Sequence, residues 1–400
     1  MTALLSLAIL VLIAYLGSLL YRKINIDSIW LKGVVYSGVF YIILGYLIGP
    51  KALRLVTESV FHELNILFSL VLGWSGFLTG LQLSFKGLKR FPGKYYTQVS
   101  IIFTIVLVLL STTLWISDRY LINLPFSLQA IIMFAVIGSI SSPIMLGVLM
   151  KDQQIPGKMA YRLQFNSAYD NVLGVLAGGM VFIAGTAFYW HGEESMLKGL
   201  QMLFPYGVVG AAIFMYSYIY ENMKTGQEKF LLFISLLIIT IGIAYKFSQS
   251  ILFFSFLFGF GLANSKIPSR QLYRDIQELE KPLYILLLIF TGINLKLYSE
   301  PAILIFAVVF IVFRLIIKYV SESTVYIVSE KDQTIPHTIG IAGIGIGGLA
   351  LAMALDYLII YNTQTASIIL FIIVVSLVPN DLLSIVYIKK ALTKRKKLNR

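Results

Sequence analysis

Residues 161–188 read YRLQFNSAYDNVLGVLAGGMVFIAGTAF, an apolar run long enough to cross a bilayer that carries Asp170 and Asn171 about ten residues in. A carboxylate at that depth costs at least about 2.5 kcal/mol on insertion scales. Such a group faces a bundle interior or a wet cavity and marks an ion or proton path. Asp170 is therefore the first candidate functional residue, and the rest of the chain is read for what shelters it.

The composition agrees with a membrane setting. Of 400 residues, 58% are hydrophobic and 13% charged, with a mean hydropathy of +0.84. A soluble core cannot absorb that much apolar surface, so the expected fold class is an all-α polytopic membrane protein. The net charge of +13 reads as basic cytoplasmic loops rather than a nucleic-acid surface. The absence of cysteine excludes disulfides, thiol catalysis and cysteine metal sites. The N-terminal apolar run has no preceding charge and no small-residue cleavage site, so it is expected to stay as the first span.

Thirteen spans are expected, at 3–21, 29–48, 61–83, 97–117, 125–150, 161–188, 199–220, 229–247, 249–264, 281–297, 301–327, 335–360 and 363–388. The longest polar connection is 265–280. This count divides the basic residues into 24 on the C-terminal side of the membrane and six on the other, with Arg314 and Lys318 inside span 11. The asymmetry places the C-terminus in the cytoplasm.

Two spans are interrupted. Span 5 contains Gly138-Ser139-Ile140-Ser141-Ser142-Pro143, where proline removes a backbone donor and the serines can re-satisfy freed carbonyls. Span 12 has five glycines in residues 340–348, including Gly345 and Gly347. Spans 5 and 12 are seven apart, so six-helix repeats at 1–6 and 8–13 would be inverted, with span 7 as a linker. Paired broken helices in inverted halves point to a midplane transport site. The plain alternative is that serines and glycines only permit tight packing. A dinucleotide loop at 343–348 is excluded because no strand precedes it.

Arg314 and Lys318 lie four apart on one helical face, and bringing either to Asp170 would relieve the expense of isolated charges. Burial and an opposite charge act against each other on such a pair, which suits a group that exchanges a proton. A fixed ion pair between spans 6 and 11 is the alternative. Asn166 with Asp170, and Ser167 with Asn171, form a polar stripe of oxygens suited to a dehydrated hard cation. Carbonyls at the helix breaks would add ligands, and the positive half-helix ends would complement a carboxylate.

In this order the chain resembles the monovalent cation/proton antiporter superfamily, which includes the sodium/proton and potassium-efflux exchangers. The segments that carry the resemblance are YIILGYLIGP (41–50), LTGLQLSFKGLKR (78–90), ISSPIMLGVLMKD (140–152), LFGFGLANSKI (257–267), IFTGINLKL (289–297), RLIIKYV (314–320) and GIGIGGLALAMA (343–354). The resemblance implies scaffold and dimerisation helices in 1–96 and 229–300, and a mobile core in 97–188 and 301–388. The remaining parts are a linker in 189–228 and a basic tail in 389–400. It also implies elevator-like alternating access, a homodimer, and an Asp170–Lys318 pair. The chain departs from the family pattern at one position: the usual second aspartate of the motif is Asn171.

The expected function is exchange of Na⁺ or K⁺ for protons, with no cofactor and no metal centre. Asp170, Asn171, Ser141 and Ser142 would bind the ion or proton. Lys318 and Arg314 would be the charge partners, and Pro143, Gly345 and Gly347 the helix-breaking residues. Transport of an organic ion, or a non-transporting sensor or subunit, are the alternatives. No nucleophile–base pair within the spans suggests an enzyme.

Overall fold

A computed structural model of the protein describes residues 8, 10–17, 37–57, 60, 63–124, 126–142, 157–188, 195–220, 222–223, 225–267, 269–329 and 343–398. Among these, every regular element is helical. In chain order they are α1 (Val39–Ile48), α2 (Asn65–Leu81), a single turn α3 (Phe85–Leu88) and α4 (Gly93–Ile116), the last continuing into a π-helical end at Ser117–Ile122. Then come α5 (Leu128–Ser139), α6 (Gly157–Phe188), α7 (Ser195–Tyr220), α8 (Gly226–Lys246) and α9 (Ile251–Ala263). The chain ends with α10 (Ser269–Asn294), α11 (Pro301–Ser329), α12 (Gly348–Tyr361) and α13 (Gln364–Leu398).

Six stretches are long and apolar enough to cross a membrane: Gly93–Ile122, Tyr161–Gly185, Leu203–Tyr220, Gly226–Lys246, Pro301–Val328 and Gln364–Ser384. The protein is thus a multi-pass membrane protein. Five shorter apolar helices, α1, α2, α5, α9 and α12, lie among them. Every expected span contains a helix, span 1 through residues 10–17. Local chemistry sets several starts. Ser127 caps α5 by accepting from Ala130 N–H, and Ser250 caps α9 by accepting from Phe253 N–H. Thr225 and Glu228 form a capping box on α8.

One expectation is corrected. The polar connection at 265–280 is mostly helix, because α10 begins at Ser269. Leu272, Ile276, Leu279 and Leu283 recur at helical spacing, and Ile276 is buried, so the segment is an amphipathic extension rather than a loop. The tail at 389–398 likewise continues α13.

One side of each expected interruption lies among the described residues. Helix α5 stops at Ser139, and Ile140 turns extended with φ −79° and ψ 161°. Pro143 lies outside the described residues. On the other side, residues 343–344 form a 3₁₀ turn, and Gly347 is extended with φ −105° and ψ 179° just before α12. The two breaks touch, since Ser142 N–H donates to the Gly345 carbonyl at 3.1 Å. A β-carbon at Gly347 would lie 3.1 Å from Ser142 Cα, so glycine is what lets the two backbones cross this closely.

The helices pack in two groups. In the first, α1 runs along α10 and α2 along α9. Glycines bring those backbones together: Gly76 and Gly80 face the carbonyls of Leu252 and Phe256, and Gly259 faces that of Phe77. Gly45 faces the Ile289 carbonyl and Gly292 that of Ile42. Small residues at such contacts let membrane helices gain van der Waals contact that larger side chains would block. The second group joins α4 to α5 and α11, α5 to α6, and α12 to α13, and it encloses the crossing.

Candidate functional site at the helix crossing

Asp170 projects from α6 onto the break after α5. Its Oδ1 accepts from Ser141 N–H at 3.3 Å, and its Oδ2 accepts from the Ser141 hydroxyl. Lys318, from α11, brings its ammonium 3.8 Å from Asp170 Oδ2. The same ammonium donates to Ser141 Oγ at 2.7 Å and to the Ser139 carbonyl at 2.8 Å. Ser141 therefore stands between the two charges, accepting a hydrogen bond from the ammonium and donating one to the carboxylate. All three side chains are buried.

Arg314, one turn before Lys318, is fully buried and does something different. It donates to the Gly138 carbonyl at 2.7 Å, the Ile140 carbonyl at 3.0 Å, the Ile344 carbonyl at 2.5 Å and Asn380 Oδ1 at 2.7 Å. The first two carbonyls lie at the C-terminal end of α5, where the helix dipole is negative. Arg314 thus answers helix ends, and Lys318 supplies the ion-pairing contact to Asp170. On the positive side, Asp381 of α13 accepts from Ile346 N–H at 3.0 Å, directly before α12 begins.

A cavity of about 20 Å³ opens beside Asp170, room for one water-sized body. Ser139, Ser141, Asn166, Ser167, Lys318 and Glu322 are among its lining, closed off by Val99, Ile102 and Phe103 of α4. Asn166 donates to the Tyr326 hydroxyl, and the Arg162 guanidinium lies 4.6 Å from the centre of the Tyr326 ring. Of the expected stripe, Asn166, Ser167 and Asp170 face this cavity. Asn171 is buried, outside the lining, with an Oδ1 that no donor among the described residues reaches. Ser142 holds the crossing through its backbone, while Gly345 and Gly347 give that crossing its acceptor and its clearance.

The sequence matches the family model described as sodium/hydrogen exchanger, transmembrane, over residues 6–380. The chain belongs to the sodium/hydrogen exchanger family. No curated protein matches it by sequence. Among solved structures it is similar to the sodium proton antiporter MjNhaP1 of Methanocaldococcus jannaschii at pH 8. The TM-score is 0.65 at 15% identity, covering 98% of each chain. An electron-microscopy map of the same antiporter gives 0.61 at 16% identity, covering 96% of this chain and 95% of that one. At such identities the likeness speaks for the fold.

In this exchanger-family chain the sequence reading missed several buried polar groups, among them Glu322, Asp356, Asn380 and Asp381. Glu322 continues the Arg314–Lys318 face by one more turn. Asn380 and Asp381 sit in span 13 directly after Pro379. Asp356 of α12 accepts from the Ser250 hydroxyl at 2.5 Å and from Ile251 N–H at 3.0 Å, so it caps α9 from outside that helix. Counting every acid inside an expected span would have flagged all but the amide. A group of three or more His, Asp or Glu able to hold a metal is absent among the described residues.

Proposed function

We propose that this exchanger-family chain swaps a monovalent cation, Na⁺ or K⁺, for protons, with the Asp170 carboxylate binding cation and proton in turn. The observation that carries this is the buried carboxylate at the crossing, faced by Lys318 at 3.8 Å and opening on a cavity of about 20 Å³. In that arrangement Lys318 is the resident cation that an incoming ion displaces from Asp170. Ser141 relays between them, and the oxygens of Ser139, Asn166 and Ser167 are neutral ligands. The cavity has room for one water-sized body, the scale of a bare alkali ion. Ser142 and Asn171 act at the edge, one through its backbone and the other through an amide oxygen that no described donor occupies.

Thirteen spans in two inverted repeats, with α1–α2 and α8–α10 as a dimerising scaffold and α4–α6 and α11–α13 as a core moving like an elevator, complete the proposal. The repeat is supported by contacts that exchange roles. Thr79-Gly80-Leu81-Gln82-Leu83 in α2 and after it resembles Thr291-Gly292-Ile293-Asn294-Leu295 at the end of α10. Gly80 faces the Phe256 carbonyl of α9 as Gly292 faces the Ile42 carbonyl of α1. Gly259 meets Phe77 as Gly45 meets Ile289. Asn264 donates to the Leu83 carbonyl at 3.0 Å, and Lys51 to that of Leu295 at 2.8 Å. The basic-residue asymmetry supports a cytoplasmic membrane location with the C-terminus inside.

Current recordings on a solid-supported membrane, with jumps in Na⁺, K⁺ and pH, combined with ion-dependent thermal melting, test the proposal. The transported ion alone should raise the melting temperature, by an amount following RT ln(1 + [L]/Kd). Stabilisation by an organic ion instead, or by none with no flux, would favour another solute or a non-transporting role.

A further inference from the structure

We infer that Glu322 is the second carboxylate of the cation site. The inference rests on the cation-exchange reading of Asp170 and names a ligand that reading leaves out. Asp170 and Lys318 together are already neutral, so a cation entering beside them would leave a net positive charge in a buried cavity, at high cost. One more negative group removes that cost. Glu322 is the other acid lining the cavity, and it is only 9% exposed. It stands one turn beyond Lys318 on α11, and its carboxylate oxygens lie against Gly343, where any β-carbon would collide with them. Among the described residues none donates a hydrogen bond to it, which leaves its oxygens open to a ligand.

A second observation points to a missing ligand in the same space. Ser167 Oγ is buried, its residue 1% exposed, lines the cavity and has no hydrogen-bond partner among the described residues. A hard monovalent cation between Asp170, Glu322 and Ser167 would satisfy all three. The charged groups around this space come from α6 and α11, and Arg162 of α6 is turned over the Tyr326 ring, with its guanidinium donating to Gln98. Asp170 comes from α6, while Arg314, Lys318 and Tyr326 share α11 with Glu322. Helix α4 contributes only Val99, Ile102 and Phe103, and the break before α12 contributes Gly343. With both carboxylates ionised and Lys318 protonated the cluster carries one net negative charge. Either one alkali cation or one proton brings it to zero, so the two compete for a single vacancy of charge.

The test uses the full chain in proteoliposomes loaded with a pH dye, with NaCl and KCl gradients as probes and Asp170→Asn alongside. For Glu322→Gln the apparent KM for the cation should rise about tenfold or more, the scale of one lost charge-assisted contact, with a smaller effect at saturating cation. Its dependence of KM on pH should flatten, and Glu322→Asp should recover most of the affinity. Should Glu322→Gln fold poorly, Ser167→Ala is measured in its place, and its KM should rise while that of Glu322→Asp stays near the native value. Wild-type KM and pH profile in Glu322→Gln, with Asp170→Asn inactive, would overturn the role of Glu322 and leave exchange at Asp170 standing. Undiminished flux in Asp170→Asn would remove the underlying reading, and this inference with it.

Discussion

At the scale of residues, Asp170, Lys318 and Arg314 are each answered by a named atom. Removing one member of a buried pair strands the other, which costs about 3–5 kcal/mol. Lys318→Met should therefore lower the melting temperature clearly, whereas Lys318→Met combined with Asp170→Asn should recover a large part of the loss. A thermal double-mutant cycle in detergent measures that coupling. Arg314 makes a different prediction, because its four contacts rely on a planar fork. Arg314→Lys keeps the charge yet leaves at least one buried acceptor unmet, so it should cost about 1–3 kcal/mol by the same assay. Asp170 and Lys318 were legible in the sequence because each interrupts an apolar run far from its ends. Glu322 was not. It lies seven residues from the end of α11, where an acid reads as an interfacial residue, and only the fold lays Gly343 against it.

At the scale of elements, the crossing works because two helices stop where their backbones meet. The exposed carbonyls of α5 gain Arg314 and Lys318, and the N–H groups before α12 gain Asp381. Gly347→Ala would set a β-carbon 3.1 Å from both Cα and Oγ of Ser142. Its exchange rate should fall about tenfold or more, since misplacing a site by a fraction of an ångström is costly. Rates in reconstituted vesicles, with protein levels matched, decide this. The breaks were readable from serine, proline and clustered glycine, which weaken or interrupt a helix whatever surrounds them. What joins them was not, because a hydrogen bond such as Ser142 to Gly345 spans about two hundred residues and leaves no local mark. The helical start at Ser269 was missed for a related reason: a polar stretch with an apolar residue every third or fourth position becomes helix only when a partner covers that face.

At the scale of the whole molecule, the helices fall into one group held by glycine contacts and another that carries the charges. Because the chain has no cysteine, single cysteines report topology without background. In right-side-out vesicles an impermeant maleimide should label Arg119→Cys but not Lys394→Cys, and permeabilisation should expose the latter. The reverse pattern would invert the orientation read from the basic residues. The most direct measurement of all is cation-evoked proton flux in dye-loaded proteoliposomes, comparing the native chain with Asp170→Asn. Flux that disappears in the variant while its melting curve stays cooperative is the predicted result. Flux of unchanged size would contradict a carboxylate exchange site at the crossing.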